Sequence, residues 1–286
     1  MLRKIATVIA YAGFIAGSLF LGTVTSLFLF VFIRDPRKKC LLFRKNVRSF
    51  CRFFIFFCRH TGVFRTDVSN ARELEQLRGS VVIANHPSLV DYVILISCMN
   101  PNTTTIFKQS LRRGFMKFVL HNLDYIPNSS SLEEINRHLE NDANLLIFPE
   151  GSRTKRLPVK FSRGAAQVAV RNRMPVYMVF INCDTPGYLQ HRFFSDSMTA
   201  QTPSFRVTPI GTENIIPDTG AADINAETGG ENGYSADPAR TVNTGGGSAG
   251  SEYETFGVAA RHLTKRLEEI YNEKLDKSMN SPRGCR

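Results

Sequence analysis

The sequence lacks the cysteine patterns that hold a zinc ion or build a disulfide framework. Its six cysteines include no CxxC pair and no cysteine–histidine spacing of the zinc-binding kind. Scattered thiols of this type are typical of a reducing compartment or of the cytoplasmic face of a membrane. The GxSxG motif of serine hydrolases is also absent around Ser152, so a serine nucleophile is weakly supported.

Charged side chains are missing from Ile5 to Ile33, a run of 29 residues. A helix of that length measures roughly 43 Å, against about 30 Å for the hydrocarbon core of a bilayer. One tilted membrane-spanning helix is therefore predicted. A secretory signal peptide is the alternative, but its apolar region is only about 7–15 residues long, and here a basic cluster follows at the place where cleavage would occur.

The basic cluster after this run predicts the orientation of the chain. It consists of Arg34, Arg37, Lys38, Lys39, Arg44, Lys45, Arg48 and Arg52. The positive-inside rule places such a cluster in the cytoplasm, so we predict a single-pass membrane protein with its folded part on the cytoplasmic face. The formal net charge of +11 favours anionic partners. Nucleic acid is not predicted among them, because no nucleic-acid-binding motif is present and a membrane span argues against it.

Composition divides the chain into five segments. These are a membrane anchor with its basic flank (1–39), an amphipathic interfacial helix (40–66), the main folded domain (67–217), a disordered linker rich in glycine and acids (218–252), and a C-terminal amphipathic helix with its tail (253–286). In the second segment, phenylalanines between Phe50 and Phe57 lie among arginines. Such a helix either lies in the lipid headgroup layer or packs on the core of the domain, and the sequence does not separate the two.

From residue 80 onward, short apolar runs alternate with helix-like stretches. The runs predicted as strands are Val81–Ala84, Thr104–Phe107, Leu145–Phe148, Val176–Ile181 and Phe205–Val207. The stretches predicted as helices are Leu89–Met99, Leu111–Leu120, Ser131–Glu140 and Phe161–Arg171. This alternation predicts a layered α/β fold with a largely parallel sheet flanked by helices, preceded by the N-terminal transmembrane helix.

The first candidate motif is Asn85-His86-Pro87-Ser88-Leu89-Val90-Asp91, which follows the predicted strand VVIA and opens a helix. A histidine at the end of a strand faces the cleft of an open α/β sheet. Asp91, in the first turn of the helix, can reach back to one imidazole nitrogen and fix the tautomer, so that the other nitrogen takes a proton. The same spacing, Ser88-x-x-Asp91, is also typical of a helix capping box. Both interpretations fit the residues, and both can be true together.

The second candidate motif is Phe148-Pro149-Glu150-Gly151-Ser152-Arg153-Thr154, which ends the predicted strand LLIF. Pro-Glu-Gly is typical of a tight turn. No acid occurs from Gly151 to Cys183, whereas seven basic residues do: Arg153, Lys155, Arg156, Lys160, Arg163, Arg171 and Arg173. Basic side chains at the end of a strand predict an anion site, since a guanidinium group binds phosphate through two hydrogen bonds. Glu150 would instead orient a cation, a backbone amide or an acceptor hydroxyl.

Together the two motifs carry a resemblance to a known family. NHPSLVD, followed about 60 residues later by FPEGSRT, resembles the lysophospholipid acyltransferase family, including the 1-acylglycerol-3-phosphate acyltransferases. The resemblance covers roughly residues 81 to 179. It implies that residues 67–217 form an acyltransferase domain. Such a domain moves a fatty acyl group from an acyl thioester to a hydroxyl of a lysophospholipid-like acceptor.

The resemblance also implies a role for each motif residue. His86 is expected to be the general base and Asp91 its partner. Substrate binding is expected from Asn85, Ser88, Lys108, Glu150, Gly151, Ser152, Arg153 and Lys160. The donor is expected to be acyl-CoA or acyl carrier protein and the other partner a membrane lipid. Neither a metal nor a bound cofactor is expected.

The sequence departs from the family at one place that concerns the acceptor phosphate. Family members often carry an arginine after an apolar strand between the two motifs, whereas Leu123–Asn128 contains none. Lys108 lies earlier and is the candidate to contribute in its place. The acceptor therefore stays open between lysophosphatidic acid and another lysolipid. The alternative function is a non-catalytic, membrane-bound protein that binds lipid or acyl carrier protein and does not need His86 and Asp91 together.

Overall fold

The structure, a computed structural model, describes residues 2–112, 116–151, 159–185, 188, 201–214 and 249–280. These residues form a seven-stranded sheet with helices packed on both faces. The predicted layered α/β fold with a largely parallel sheet is confirmed. Most of the predicted linker, residues 218–248, lies outside the described residues.

The sheet is built from seven strands of two to ten residues. They are β1 (Arg65–Asp67), β2 (Val81–Ala84), β3 (Thr103–Phe107), β4 (Ile126–Pro127), β5 (Asn144–Ile147), β6 (Val176–Cys183) and β7 (Ser204–Glu213). Their order across the sheet is β1-β7-β6-β2-β5-β3-β4. The strands from β6 to β4 in this order run parallel, whereas β7 pairs antiparallel with β6. The carboxyl ends of the parallel strands therefore share one edge of the sheet.

The helices lie before, between and after these strands. They are α1 (Leu2–Phe20), a π-helical segment (Leu21–Thr25), α2 (Ser26–Phe32), α3 (Pro36–His60), α4 (Asp91–Cys98), α5 (Met116–Leu123), α6 (Leu132–Arg137), α7 (Gly164–Asn172) and α8 (Ala249–Asn280), with 3-10 turns at Ser69–Glu75 and Gln109–Arg112. One apolar cluster joins α3, α4 and α5 to one face of the sheet, and a second joins α6, α7 and α8 to the other.

Successive residues of the central strands point alternately into these two apolar clusters. In β2, Val82 packs in the cluster of α4, whereas Val81 and Ile83 pack in the cluster of α7 and α8. All three side chains are completely buried. A parallel sheet covered on both faces needs such a continuous apolar run, which is why VVIA is apolar throughout instead of alternating.

Helix α8 closes the second face of the sheet through one buried tyrosine. Tyr271 is completely buried. Its hydroxyl group donates toward two carbonyl oxygens, those of Ile83 in β2 at 2.8 Å and Val179 in β6 at 2.5 Å. These contacts fix α8 across the two strands that neighbour each other at the centre of the sheet.

Residues Leu2–Phe32 form a helix of 31 residues that is long and apolar enough to cross a membrane, with a mean hydropathy of 2.1 over its most apolar stretch. Only 11% of its most apolar stretch is buried. The helix packs along α3, where Phe14 stacks on Phe50 at 5.5 Å between ring centroids. Gly17 permits this approach, because a Cβ atom at that position would clash with the Phe50 ring.

Helix α3 packs on the domain through one of its faces. Phe43 and Phe54 are buried in the core, whereas Phe53 and Phe56 are 64% and 57% exposed. One face of α3 thus belongs to the interior of the domain. The opposite face presents phenylalanine rings to the surroundings.

Some boundaries differ from those expected. Strands β1 and β4 were not predicted, and β1 at Arg65 begins inside the segment assigned to the interfacial helix. The C-terminal helix begins at Ala249 and ends at Asn280, instead of 253 and 275. Helix α7 begins at Gly164 and not at Phe161, whose backbone N–H donates to Glu268 of α8.

Candidate active site

The two candidate motifs meet at the edge of the sheet where the parallel strands end. Strands β2 and β5 are neighbours, so His86 and Glu150, which follow them, emerge side by side. The backbone N–H of His86 donates a hydrogen bond to Oε1 of Glu150 at 3.3 Å. Two motifs that are 64 residues apart in the chain therefore form one site. Orienting a backbone amide is one of the roles considered for Glu150, and this hydrogen bond supports it.

Asp91 lies within hydrogen-bond distance of the imidazole of His86. It is the first residue of α4, and its Oδ2 atom is 3.1 Å from Nδ1 of His86. This is the backward reach that the spacing of the motif predicts. A carboxylate at this position holds a proton on Nδ1, which makes Nε2 the nitrogen with the proton-accepting lone pair.

The carboxylate of Asp91 is completely buried. Its Oδ2 atom also accepts from the backbone N–H of Ser88 at 2.6 Å, while no described residue donates to Oδ1. Burial raises the pKa of Asp91, and the hydrogen bonds from His86 and Ser88 oppose that rise. A sparsely solvated carboxylate of this kind would strongly stabilise a positive charge that arose on the imidazole.

The capping interpretation of Ser88-x-x-Asp91 is met only in part, because α4 begins at Asp91 and its N-cap residue is Val90, which makes no side-chain capping bond. The N–H of Ser88 does donate to the Asp91 carboxylate, as in one half of a capping box, but Asp91 is the first helical residue and not the third. The hydroxyl of Ser88 accepts from Val90 N–H at 3.0 Å, which closes a local turn before α4. The same carboxylate therefore both fixes the turn before α4 and holds the imidazole.

Phe148, the first residue of the second motif, forms a wall of the site, a role that was not predicted for it. Its ring stacks on the imidazole of His86. The side chain of His86 keeps 20% of its surface exposed, so the ring can be reached from outside. The only signal in the sequence was the position of Phe148 at the end of a strand, immediately before the turn.

The structure argues against substrate contacts for Asn85 and Ser88. The side chain of Asn85 is 2% exposed and bonds the backbone of Ile181 twice, donating at 2.9 Å and accepting at 2.7 Å. Ser88 is completely buried, and its hydroxyl is used by Val90. Both residues therefore support the backbone around His86. The resemblance implies substrate binding by both residues, whereas in this structure their side-chain polar atoms bond the protein backbone.

The remaining predicted residues surround the same edge of the sheet. Gly151 closes the turn, since its N–H donates to the carbonyl of Phe148 at 3.1 Å, and its φ of +65° lies in the left-handed region that favours glycine. Lys108 follows β3, the strand next to β5, and Lys160 precedes α7; both are exposed. Ser152 and Arg153 lie outside the described residues.

Two polar residues of α8 hold the chain segment that carries Lys160. Asn272 accepts from Val159 N–H at 2.7 Å and donates to the Val159 carbonyl at 3.2 Å. Glu268 accepts from the N–H of Phe161 at 2.5 Å. The next residue, Ser162, donates its N–H to the Pro149 carbonyl at 2.8 Å. The helical spacing of apolar residues predicted α8, but nothing in its sequence indicated this contact with the site.

Other chemistries find little support among the described residues. Burial raises the pKa of the Cys183 thiol to about 12, so the thiol is protonated and weakly nucleophilic near neutral pH. In the part of the chain that the structure describes, histidine, cysteine and acidic side chains form no group of three or more that could hold a metal ion.

Comparison with known proteins agrees with this geometry. Residues 65–182 match the family model described as Acyltransferase. The 1-acyl-sn-glycerol-3-phosphate acyltransferase of Cocos nucifera is 31% identical over 34% of this chain and 35% of its own length. The enzyme of that name from Saccharomyces cerevisiae is 26% identical over 48% of this chain and 49% of its own. An uncharacterized acyltransferase of Schizosaccharomyces pombe is 27% identical over 45% of this chain and 50% of its own.

Among solved structures, the fold is similar to that of PlsC, the 1-acyl-sn-glycerophosphate (LPA) acyltransferase from Thermotoga maritima. The TM-score is 0.61 at 18% identity, over 99% of this chain and 100% of that one. The curated matches span only 35% to 50% of the lengths of those relatives. Residues 65–182 are therefore similar to the acyltransferase family, and the curated relatives make the 1-acyl-sn-glycerol-3-phosphate acyltransferases the group within it that this chain resembles. The similarity to PlsC shows the fold.

Proposed function

We propose that this chain transfers a fatty acyl group from an acyl thioester to a hydroxyl of a lysophospholipid-like acceptor, with His86 as the general base. One observation carries the proposal. The buried Asp91 carboxylate lies 3.1 Å from Nδ1 of His86, at the edge of the sheet where the second motif also emerges. A base and its orienting carboxylate are the parts that such a transfer requires from the protein.

In the proposed reaction both substrates are bound together. Nε2 of His86 takes the proton of the acceptor hydroxyl as its oxygen attacks the thioester carbonyl carbon. The tetrahedral intermediate then collapses, the carbon–sulfur bond breaks, and the departing sulfur receives the proton from His86. The products are a new oxygen ester and a free thiol, and the imidazole is neutral again. Asp91 stabilises the imidazolium between the two proton transfers.

The acceptor site is proposed to lie beside Glu150. Glu150 and Gly151 shape the turn next to the imidazole. Lys108 and Lys160 supply positive charge from neighbouring strand and helix ends, and Arg153 is proposed to bind an anionic group of the acceptor, with Ser152 beside it. The names of the coconut and yeast relatives favour a lysophosphatidic acid acceptor. The donor is proposed to be acyl-CoA or acyl carrier protein, with no bound cofactor.

We also propose that Leu2–Phe32 is embedded in the membrane on the cytoplasmic side, next to the domain. A single complete crossing, as predicted from the sequence, conflicts with contacts near both ends of this helix. Arg3 bonds Thr202 at 3.4 Å and the Tyr11 hydroxyl bonds that of Tyr188 at 2.8 Å. The π-helical segment and α2 meanwhile pack beside α5 and α3. Cysteine-labelling reagents that do not cross membranes should reach positions 2 and 45 from the same side, whereas a single crossing requires opposite sides.

The catalytic proposal is tested by supplying labelled acyl-CoA or acyl carrier protein and a panel of lysolipids to membranes that contain the protein. Products are identified by mass spectrometry. His86→Ala should reduce turnover by about 10²- to 10⁴-fold, because the base is lost, while the protein accumulates normally. His262→Ala, which removes an exposed histidine of α8, is the matched control and should retain wild-type turnover.

Turnover in His86→Ala equal to that of the wild type would refute the role of the base. If the wild type binds lipid or carrier protein but consumes no thioester with any acceptor, the chain is a binding protein. Thioester consumption without a lipid product would instead indicate hydrolysis by water.

A further inference from the structure

A second concave surface, the amino-edge groove, lies on the edge of the sheet opposite His86. Arg78, which precedes β2, and Asn102, which precedes β3, line it on one side, and the first half of α3 lines it on the other. The groove has a volume of 1020 Å³. His86 and Glu150 follow the other ends of parallel strands, so the length of the sheet separates the two sites.

The amino-edge groove is strongly basic. Eight arginines and lysines line it against three carboxylates, a formal difference of +5. Each carboxylate already has a partner: Glu140 pairs with Arg37 at 3.0 Å, Glu75 with Arg48 at 2.7 Å, and Asp124 with His138 at 3.1 Å.

Three further cations of the groove remain uncompensated. Lys38, Lys45 and Arg137 are exposed, and their side chains have no partner among the described residues. Lys38 and Lys45 are seven residues apart on α3, which places them on the same side of the helix two turns from each other. Exposed, unpaired cations in a concave surface concentrate positive potential and attract an anionic ligand.

Buried contacts fix the wall that carries these lysines. Arg44 is only 8% exposed, and its Nε donates to the carbonyl of Leu123 at 2.8 Å. Its Nη2 donates to the carbonyl of Asp124 at 3.4 Å. These bonds join α3 to the end of α5. The groove is therefore built into the fold, and a ligand does not have to order a loop to occupy it.

An exposed apolar helix ends at the entrance of the groove. In α2, Phe30 and Phe32 are 72% and 66% exposed, and α3 with its lysines begins four residues after Phe32. The ammonium group of Lys39 lies 4.8 Å from the centre of the Phe30 ring. A ligand with an anionic head and an apolar tail fits both surfaces at once, since the head meets the lysines while the tail follows α2.

We propose that the amino-edge groove binds the phosphate-bearing headgroup of an anionic membrane phospholipid, whose acyl chains lie against α2. This site is separate from the proposed acceptor site and does not depend on the role of His86. It orients the protein on negatively charged membranes through Lys38, Lys45 and Arg137. The apolar neighbour favours a lipid over free phosphate, and over an acidic protein such as acyl carrier protein.

The test uses the full-length protein, purified in a neutral detergent and titrated with short-chain phosphatidylglycerol, phosphatidylcholine, inorganic phosphate or acyl carrier protein. Binding is read from the rise in Tm. Phosphatidylglycerol should raise the Tm of the wild type, and the effect should weaken with added salt. Lys38→Glu/Lys45→Glu should bind phosphatidylglycerol about tenfold or more weakly, since each lysine near an anionic lipid contributes to affinity.

Arg261→Glu/Lys265→Glu is the matched control, because it makes the same change of charge at two exposed positions of α8. It should bind phosphatidylglycerol like the wild type. If the glutamate variant of the groove has a lower Tm without lipid, Lys38→Gln/Lys45→Gln replaces it. Equal phosphatidylglycerol binding by the groove variants and the wild type would overturn the proposal. A rise in Tm with inorganic phosphate equal to that with phosphatidylglycerol would also overturn it, because it would indicate a site for phosphate alone. The same holds if only acyl carrier protein raises the Tm and the groove variants abolish that rise.

Discussion

The imidazole of His86 stacks on the phenyl ring of Phe148, with ring centroids 4.4 Å apart and planes inclined by 27°. Together with Asp91 on one ring nitrogen and Glu150 on the backbone N–H, this contact leaves His86 little rotational freedom. A base that is held in one orientation loses little entropy when the acceptor hydroxyl approaches it.

Phe148→Leu should preserve apolar volume but remove the stacked ring. An aromatic pair of this kind contributes about 0.5–1.5 kcal/mol, so kcat should fall by roughly 2- to 10-fold with little change in KM for the acceptor. Steady-state kinetics in mixed micelles would measure both constants. Phe53→Leu, at an exposed position of α3, is the control. A loss confined to KM would mean that Phe148 contacts the acceptor instead of positioning His86.

Asp91→Asn separates the catalytic from the capping interpretation. The amide oxygen can still accept from Ser88 N–H, but an uncharged group no longer stabilises the imidazolium or fixes its tautomer. We expect turnover to fall on the order of 10²- to 10⁴-fold. The Tm should be unchanged or higher, since a buried, poorly solvated carboxylate has been removed.

Asp91→Ala is the comparison for this prediction. It leaves the Ser88 N–H without its acceptor, and should lower stability by about 1–3 kcal/mol. Thermal unfolding in one detergent, with turnover normalised to folded protein, measures both effects. If Asp91→Asn unfolded like the alanine variant yet kept normal turnover, the carboxylate would serve only to fix the turn before α4.

Asn272→Ala tests whether α8 supports the site from a distance. The change leaves the N–H and the carbonyl of Val159 without their partner, which should cost about 1–3 kcal/mol of stability. Val159 is followed directly by Lys160, which is proposed to supply positive charge to the acceptor site. Loosening Val159 should therefore raise KM for the acceptor more than it lowers kcat. Glu273→Ala, which breaks an exposed pair with Lys277, is the neighbouring control and should leave the Tm nearly unchanged, because solvent screens such a pair. Unchanged KM together with a lower Tm would make Asn272 purely structural.

The pair formed by Asp124 and His138 predicts a pH dependence. The hydrogen bond from His138 is the largest cause that lowers the pKa of Asp124. The folded pKa therefore lies below the unfolded value of about 3.9. The stabilisation of the folded state by this pair is fully present above the unfolded pKa of Asp124, and it is lost as the pH falls through the folded pKa. Because Asp124 is exposed, the contribution should not exceed about 1 kcal/mol.

His138→Ala should accordingly lower the Tm at about pH 5, and its difference from the wild type should shrink toward about pH 3. Unfolding curves across this range, with His262→Ala as a control, measure the difference. A gap that widens on acidification would contradict the assignment.

Much of the fold follows from local pattern. The run VVIA and the run LLIF are short, apolar and followed by turn residues, so their strands were predictable to within one residue. Strands β1 and β4 are only three and two residues long, and they exist because longer neighbours pair with them. No apolar periodicity can be detected in segments of that length.

The contacts of the candidate site likewise include some that the local sequence predicts and some that it does not. His86 and Asp91 are five residues apart across the start of a helix, so their contact is local and could be predicted. The bond between His86 and Glu150 depends on β2 and β5 being neighbours, which no local pattern encodes. The burial of Asn85 depends likewise on β6, a strand that begins 91 residues later in the chain.

The hydroxyl of Tyr271, which spans Ile83 and Val179, has a consequence for biosynthesis. Strand β2 leaves the ribosome long before Tyr271 is translated, and at about 5–20 residues per second that interval is roughly 10 to 40 seconds. During this interval, the apolar face of the nascent sheet that α8 later covers is partly exposed. The apolar helix Leu2–Phe32 emerges before β2, so the growing polypeptide can be tethered at the bilayer before that surface meets another chain. Co-translational targeting would then act as protection against aggregation.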